Sequence, residues 1–178
     1  MKPLALSMAN SQPPMLPQDI VDTILDSLSP DEAPFVKYLS ENLTLDWLEE
    51  DDDRLGVTRF EGDHNDVFRK KRLKLHPGEI TILLHPMLRE DPVLMRHTMV
   101  HELLHAAGLA KHDDEHHELV DFIAPAPTLK DSPLLQRLRT QVLGERESTD
   151  WLCDHCGFQW DRKTVRKPHR CPKCARSL

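Results

Sequence analysis

The stretch that most constrains the fold is "REDPVLMRHTMVHELLHAAG", residues 89–108. Asp91 is placed to cap a helix, Pro92 suits its first position, and Gly108 can end it. Between them Leu94, Val100, Leu103 and Leu104 supply apolar cover, and Val, Met, Leu and Ala dominate the run. Such a helix is predicted to be largely buried.

Its polar residues are therefore conspicuous. His101 and His105 stand four apart, so on a helix both imidazoles lie on one face and can point at one ion. Glu102 leaves at an adjacent angle. It is poorly placed to be an equivalent ligand, but it can reach a water on that ion, where a general base must sit. That is the mechanical content of H-E-x-x-H. Two histidines and a glutamate would be costly in a buried helix unless paired or metal-bound. The chain holds eleven histidines in 178 residues, which supplies further donors. His97, one turn earlier, is expected to pack or to support the site from behind, and His85 to lie in a loop.

A third ligand has to come from beyond the helix. The metzincin pattern, H-E-x-x-H-x-x-G-x-x-H, is met at Gly108 but fails at Lys111. The following "HDDEHHELV", residues 112–120, resembles the SprT-like and WLM-type metallopeptidases. His101, Glu102, His105, His112 and the acidic Asp113 match that pattern, whereas His116 stands where an aromatic is usual. The resemblance implies His112 as third ligand of a catalytic zinc, with His116 and His117 as alternatives. The turn after Gly108 favours His112 by bringing it back toward His105. The resemblance also implies a strand before the helix that binds substrate backbone by β-addition. In "GEITILLHP" the residues for this are Ile80, Ile82 and Leu84.

The four cysteines occur only as Cys153-x-x-Cys156 and Cys171-x-x-Cys174. Each pair forms a knuckle, and four thiolates make a closed tetrahedral site, so this second zinc is expected to be structural. A secreted, disulfide-stapled domain would spread its cysteines more widely. The ribbon is too small to fold on apolar burial alone. SprT-like proteins often end in such a ribbon, and the likeness covers roughly residues 55–178.

Periodicity outlines the rest. "PQDIVDTILDSL" is helical, and "SPDEAPFVKYLSENLTLDWLEEDDD" reads as a second helix with Phe35, Val36, Leu39, Leu43 and Trp47 inside. "LGVTRFE", "VFRKKRLKLH" and "GEITILLHP" read as strands. "DDEHHELVDFIA" and "SPLLQRLRTQVLG" are helices, the latter capped by Ser132 and ended by Gly144. The predicted fold is α+β: a small zincin-type metallopeptidase core, with a short antiparallel sheet packed on the H-E-x-x-H helix, followed by a four-cysteine zinc ribbon. The domains are a disordered tail over 1–17, the metallopeptidase domain over 18–147 and the ribbon over 148–178. No apolar run reaches transmembrane length and no secretory signal is evident, which suggests a cytoplasmic protein without membrane contact; a monomer is expected.

The net charge is −7, yet from Trp151 onward seven Lys/Arg against two acids give +5, leaving −12 for the first 150 residues. With Phe158 and Trp160, the basic ribbon could meet DNA by phosphate contacts and stacking, or the aromatics could simply pack it. The basic run 69–74 has a similar choice between a solvated face and a nucleic-acid or peptide contact. The expected function is a zinc-dependent metallopeptidase acting on protein or peptide substrates, with Glu102 as general base. SprT-like enzymes act on proteins near DNA. Two other readings use the same residues. One is a metal-dependent nuclease-type hydrolase, whose three-histidine pattern has a gap one residue shorter and no Glu102. The other is a non-catalytic, zinc-stabilised adaptor for DNA or protein.

Overall fold

A computed structural model of the chain describes residues 12–145, 151–160 and 168–178. The chain divides into two compact units, Met1–Thr128 and Leu129–Leu178. In the first unit, residues 12–17 have no regular structure but are tied down: Trp47 Nε1 donates to the Gln12 carbonyl at 2.8 Å, and Pro14 is buried. The rest of the expected tail lies outside the described residues.

Helix α1 (Gln18–Ser27) buries Ile20, Val21 and Ile24, as its spacing requires. The second predicted helix does not form. Pro30 and Pro34 interrupt it, and only a 3-10 turn remains at Val36–Tyr38. Of its expected inner face, Phe35, Val36 and Leu39 are buried, whereas Leu43 and Trp47 are only half-buried. From Leu43 the period changes to two, with β-branched Thr44 alternating against leucines, and strand β1 (Leu43–Trp47) results.

After the acidic loop, β2 (Gly56–Phe60) forms as expected. The basic run expected as a strand is instead helix α2 (His64–Arg72). The Asp63 carboxylate accepts from the Asp66 N–H at 2.8 Å, and Asp66 pairs with Lys70 at 2.8 Å, one turn on. Arg69, Lys70, Lys71 and Arg72 crowd the last turn, where the helix dipole favours cations. No residue of α2 is buried, so nothing apolar dictates its period and local capping and charge win.

Strand β3 (Ile80–Leu84) lies between the other two, in the order β1-β3-β2. The sheet is mixed rather than antiparallel. β2 runs antiparallel to β3, from Gly56 opposite Leu84 to Phe60 opposite Ile80, whereas β1 runs parallel, from Leu43 opposite Ile80 to Trp47 opposite Leu84. β1 and β2 are consecutive in sequence, but β3 inserts between them, so they never form a hairpin. Ile80, Ile82 and Leu84 share one face of β3 and are fully buried, and Leu83 on the other face is buried as well.

Helix α3 (Pro92–Ala106) packs on β2 and β3 and buries Leu94, Met99, Val100, Leu103 and Leu104. Both ends are set as the sequence indicates. Asp91 accepts from the Leu94 N–H at 2.9 Å, with Pro92 next to it. At the other end Gly108 takes φ +108°, Leu109 N–H donates to Leu104 O and Gly108 N–H to His105 O, which is the Schellman pattern. Helix α4 (Asp114–Ile123) follows, capped by Asp113, whose carboxylate accepts from the His116 N–H at 3.1 Å, and it packs on α3. Among the described residues, no helix is long and apolar enough to cross a membrane.

The second unit holds α5 (Pro133–Glu145), capped by the Ser132 hydroxyl accepting from Leu135 N–H at 3.0 Å. Gly144 falls inside this helix rather than after it. The division at Thr128 thus assigns α5 to the ribbon's unit. Strands β4 (Trp151–Leu152) and β5 (Gln159–Trp160) pair antiparallel.

Candidate metal centres

Four thiols converge in the second unit. Sγ of Cys153 lies 3.7 Å from that of Cys174, and Cys156 3.7 Å from Cys171. These separations match thiolates sharing one tetrahedral ion, which stand about 3.8 Å apart on zinc, and exceed a disulfide bond by far. The knuckles are shaped by Gly157 at φ +65°, whose N–H donates to the Cys153 carbonyl at 2.8 Å. In the second knuckle, the Lys173 and Cys174 N–H groups donate to Cys171 Sγ at 3.3 and 3.5 Å. Burial pushes the Cys171 thiol up, but those N–H groups and the neighbouring thiols outweigh it and hold it down to about 7. The cluster could thus hold a metal ion such as zinc. Phe158 and Trp160 stack at 5.8 Å, and the Lys173 ammonium lies 5.4 Å from the Phe158 ring. Of the ribbon's cations, Arg162, Lys163, Arg166 and Lys167 lie outside the described residues.

The histidine centre is built on α3 and the start of α4. One turn of helix places His101 Nε2 3.1 Å from His105 Nε2, and His112 Nε2 closes the triangle at 2.9 Å from His105 and 3.1 Å from His101. The Schellman turn at Gly108 is what folds the chain back to bring His112 there. His105 Nδ1 lies 2.6 Å from the Leu109 carbonyl, which can only accept, so Nδ1 carries the proton and Nε2 presents its lone pair to the triangle. Three imidazole nitrogens cannot all hydrogen-bond one another, because a neutral ring nitrogen is either donor or acceptor. A cation at their centre satisfies all three at once, so this donor set fits a divalent metal.

Burial, reinforced by the other imidazoles, holds His101 and His116 down to about 4, so both are neutral bases ready to ligate at neutral pH. His116 joins His101 and His105 as a potential ligand set with ligating atoms within 4.8 Å of one another. His117 is exposed on α4 and its ring lies 6.3 Å from that of His112. His97 stays out of the cluster: its Nδ1 donates to the Ala124 carbonyl at 2.8 Å, tying α3 to the end of α4. His85 is buried, and its Nδ1 accepts from the Met87 N–H at 3.1 Å, starting the 3-10 turn at Pro86–Glu90.

Glu102 points toward β2. Thr58 Oγ1 lies 2.8 Å from Glu102 Oε2 and 2.9 Å from the Glu102 carbonyl oxygen, so one hydroxyl proton serves both acceptors. Burial raises the Glu102 pKa above the ordinary carboxylate value, and the Thr58 hydrogen bond pulls against it. Gly56 completes the seat. A Cβ there would lie 2.8 Å from Glu102 Cγ and 2.9 Å from Oε1. Neither Thr58 nor Gly56 carries a sequence signal, since no spacing links β2 to a glutamate some forty residues on.

The placement of Ile80, Ile82 and Leu84 overturns their expected role in β-addition. β3 is hydrogen-bonded to β1 on one edge and to β2 on the other, so it offers no free edge to a peptide. Of the described strands, β2 is the edge strand against which α3 packs. No family model, curated protein or solved structure matches the chain.

Proposed function

We propose that the first unit is a zinc-dependent metallopeptidase of zincin type, resembling SprT-like enzymes, and that the second unit carries a structural zinc on its four cysteines. The observation that carries this reading is the triangle of His101, His105 and His112 Nε2 atoms, 2.9–3.1 Å on a side, with Glu102 beside it on the same helix. Those three histidines would hold the ion. Zinc there would supply Lewis-acid polarisation of a carbonyl and an acidified water. Glu102 would take the proton of the attacking water on its carboxylate and return it to the leaving amine. Its raised pKa suits that role, because a carboxylate nearer neutrality is a stronger base and takes the proton more readily, yet is still acidic enough to return it. Thr58 fixes Oε2 and so aims the carboxylate.

An extended peptide would add along the outer edge of β2, whose inner edge is taken by β3. This choice favours a polypeptide over a nucleic acid at the histidine centre. A role on DNA-associated proteins would rest on the ribbon, where Arg170, Lys173 and Arg176 are the described cations.

The test is Glu102→Gln in the full-length protein. Both zinc ions should be retained while cleavage of an unfolded protein falls by about 10²–10⁴-fold. Undiminished cleavage by that variant would sink the mechanism. Incubating the zinc-loaded wild type with RNA in parallel separates peptidase from nuclease.

A further inference from the structure

His116 is one residue too many for a three-histidine centre. It is only 1% exposed, and neither of its ring nitrogens has a hydrogen-bond partner among the described residues. Burying an imidazole with both nitrogens unpaired is unfavourable unless something not made of protein pairs with it. A hydrocarbon ring would fill the same space without that cost.

The rings around it give the missing partner a position. Those of His101, His105 and His112 have centroids 4.6–5.0 Å apart, and His116 stands 4.8, 4.9 and 5.4 Å from the same three rings. All six separations are alike. Four imidazoles bound through nitrogen to one tetrahedral ion have centroids about 5 Å apart. The ring planes agree. His101 is stacked with His112 at 20° and His105 with His116 at 21°, while every pairing across these two sets is steep, between 69° and 86°. The four rings thus crowd about one point, and His116 offers a ligand atom within 4.8 Å of those of His101 and His105. The α4 cap fixes this placement, since Asp113 holds the His116 N–H and so the first turn that carries the ring.

We propose that His116 is a fourth protein ligand, so that His101, His105, His112 and His116 together saturate the metal at rest. This deepens the metallopeptidase reading and rests on it. A centre closed by four imidazoles has no open position, so each turnover would require His116 to yield its place to a water before Glu102 had a proton to take.

The test follows the imidazole nitrogens of the full-length protein by long-range ¹⁵N–¹H correlation NMR, with and without zinc. His116→Phe, which keeps ring volume and loses both nitrogens, assigns the fourth ring and supplies an affinity measurement by competition with a chelator. The expected result is that one nitrogen from each of four rings moves to a metal-bound shift, and that His116→Phe weakens zinc at this centre at least about tenfold. Zinc-dependent shifts in only the His101, His105 and His112 rings overturn the fourth ligand and leave the peptidase reading intact. Shifts in none of these rings overturn both. The wild-type spectrum decides the matter even if the variant does not fold.

Discussion

Thr58 on the edge strand and Glu102 on the central helix meet through a hydroxyl 2.8 Å from Oε2. The contact joins the sheet to the carboxylate that shares a helix with His101 and His105. Thr58→Val keeps the side-chain shape and deletes the donor. A hydrogen bond to a charged group is worth about 1.5–3 kcal/mol, so turnover should fall roughly tenfold to a hundredfold if the bond aims the base in the transition state. Zinc content should not change, because the Thr58 hydroxyl bonds to Glu102 and not to a ligand nitrogen. Steady-state kinetics beside metal analysis on the same preparation checks both.

Gly56 gives the same seat its room. A methyl at this position would stand 2.8 Å from Glu102 Cγ and 2.9 Å from Thr98 Cγ2, closer than carbon atoms approach without something moving. Gly56→Ala should therefore displace either the Glu102 side chain or the β2 backbone. Overpacking of this kind costs about 1–3 kcal/mol, visible as a lower denaturation midpoint. Cleavage should drop while zinc is retained. Full activity in Gly56→Ala would mean that Glu102 does not need the position it occupies here.

The centre was readable from sequence because its parts are local. His101, Glu102 and His105 need only a helix, and that helix carries its own cap at Asp91 and its own stop at Gly108. His112 follows from the turn the stop imposes. The cysteine pairs are readable for the same reason. What escaped depends on partners distant in sequence. The strand Ile80–Leu84 reads correctly as a strand, yet its place between β1 and β2, which removes any substrate edge, is set by pairings the local pattern does not encode. Thr58 and Gly56 matter only because β2 packs on α3. "VFRKKRLKLH" alternates only weakly, and what decides the helix over His64–Arg72 is a cap at Asp63 and the Asp66–Lys70 ion pair. Within "SPDEAPFVKYLSENLTLDWLEEDDD" a helical period passes into a strand period without a glycine between them, which hides β1 from a local reading.

Helix α3 should be correspondingly sensitive at its two signals. Asp91→Ala removes the cap on Leu94 N–H and is expected to cost about 1 kcal/mol. Gly108→Ala forces a side chain into φ +108° and brings a Cβ to 3.2 Å from Pro34 Cδ. A cost of about 1–2 kcal/mol is expected from the conformation alone. The two differ in function. Asp91 lies at the far end from the histidines, so its variant should bind zinc normally at temperatures where it is folded. Gly108 sets the turn that returns His112 to the cluster, so its variant should bind zinc more weakly in the same window. Thermal melts paired with zinc competition titrations distinguish the two.

Two candidate metal centres in separate units predict separable stoichiometry. The intact protein should bind two zinc ions. Removing residues 148–178 should remove one, together with all four thiols, and leave a protein that still binds one zinc ion. His105→Ala should remove the other, because it deletes the nitrogen closest to His112 and frees the Leu109 carbonyl that orients the ring. Cys153→Ser should lose the ribbon's ion and leave cleavage of short peptides intact, since that ion does no chemistry in this reading. Metal analysis of the four proteins after exhaustive dialysis gives two, one, one and one. A single ion in the intact chain, lost with the ribbon, would instead make the histidine cluster an empty arrangement and favour a zinc-stabilised adaptor over an enzyme.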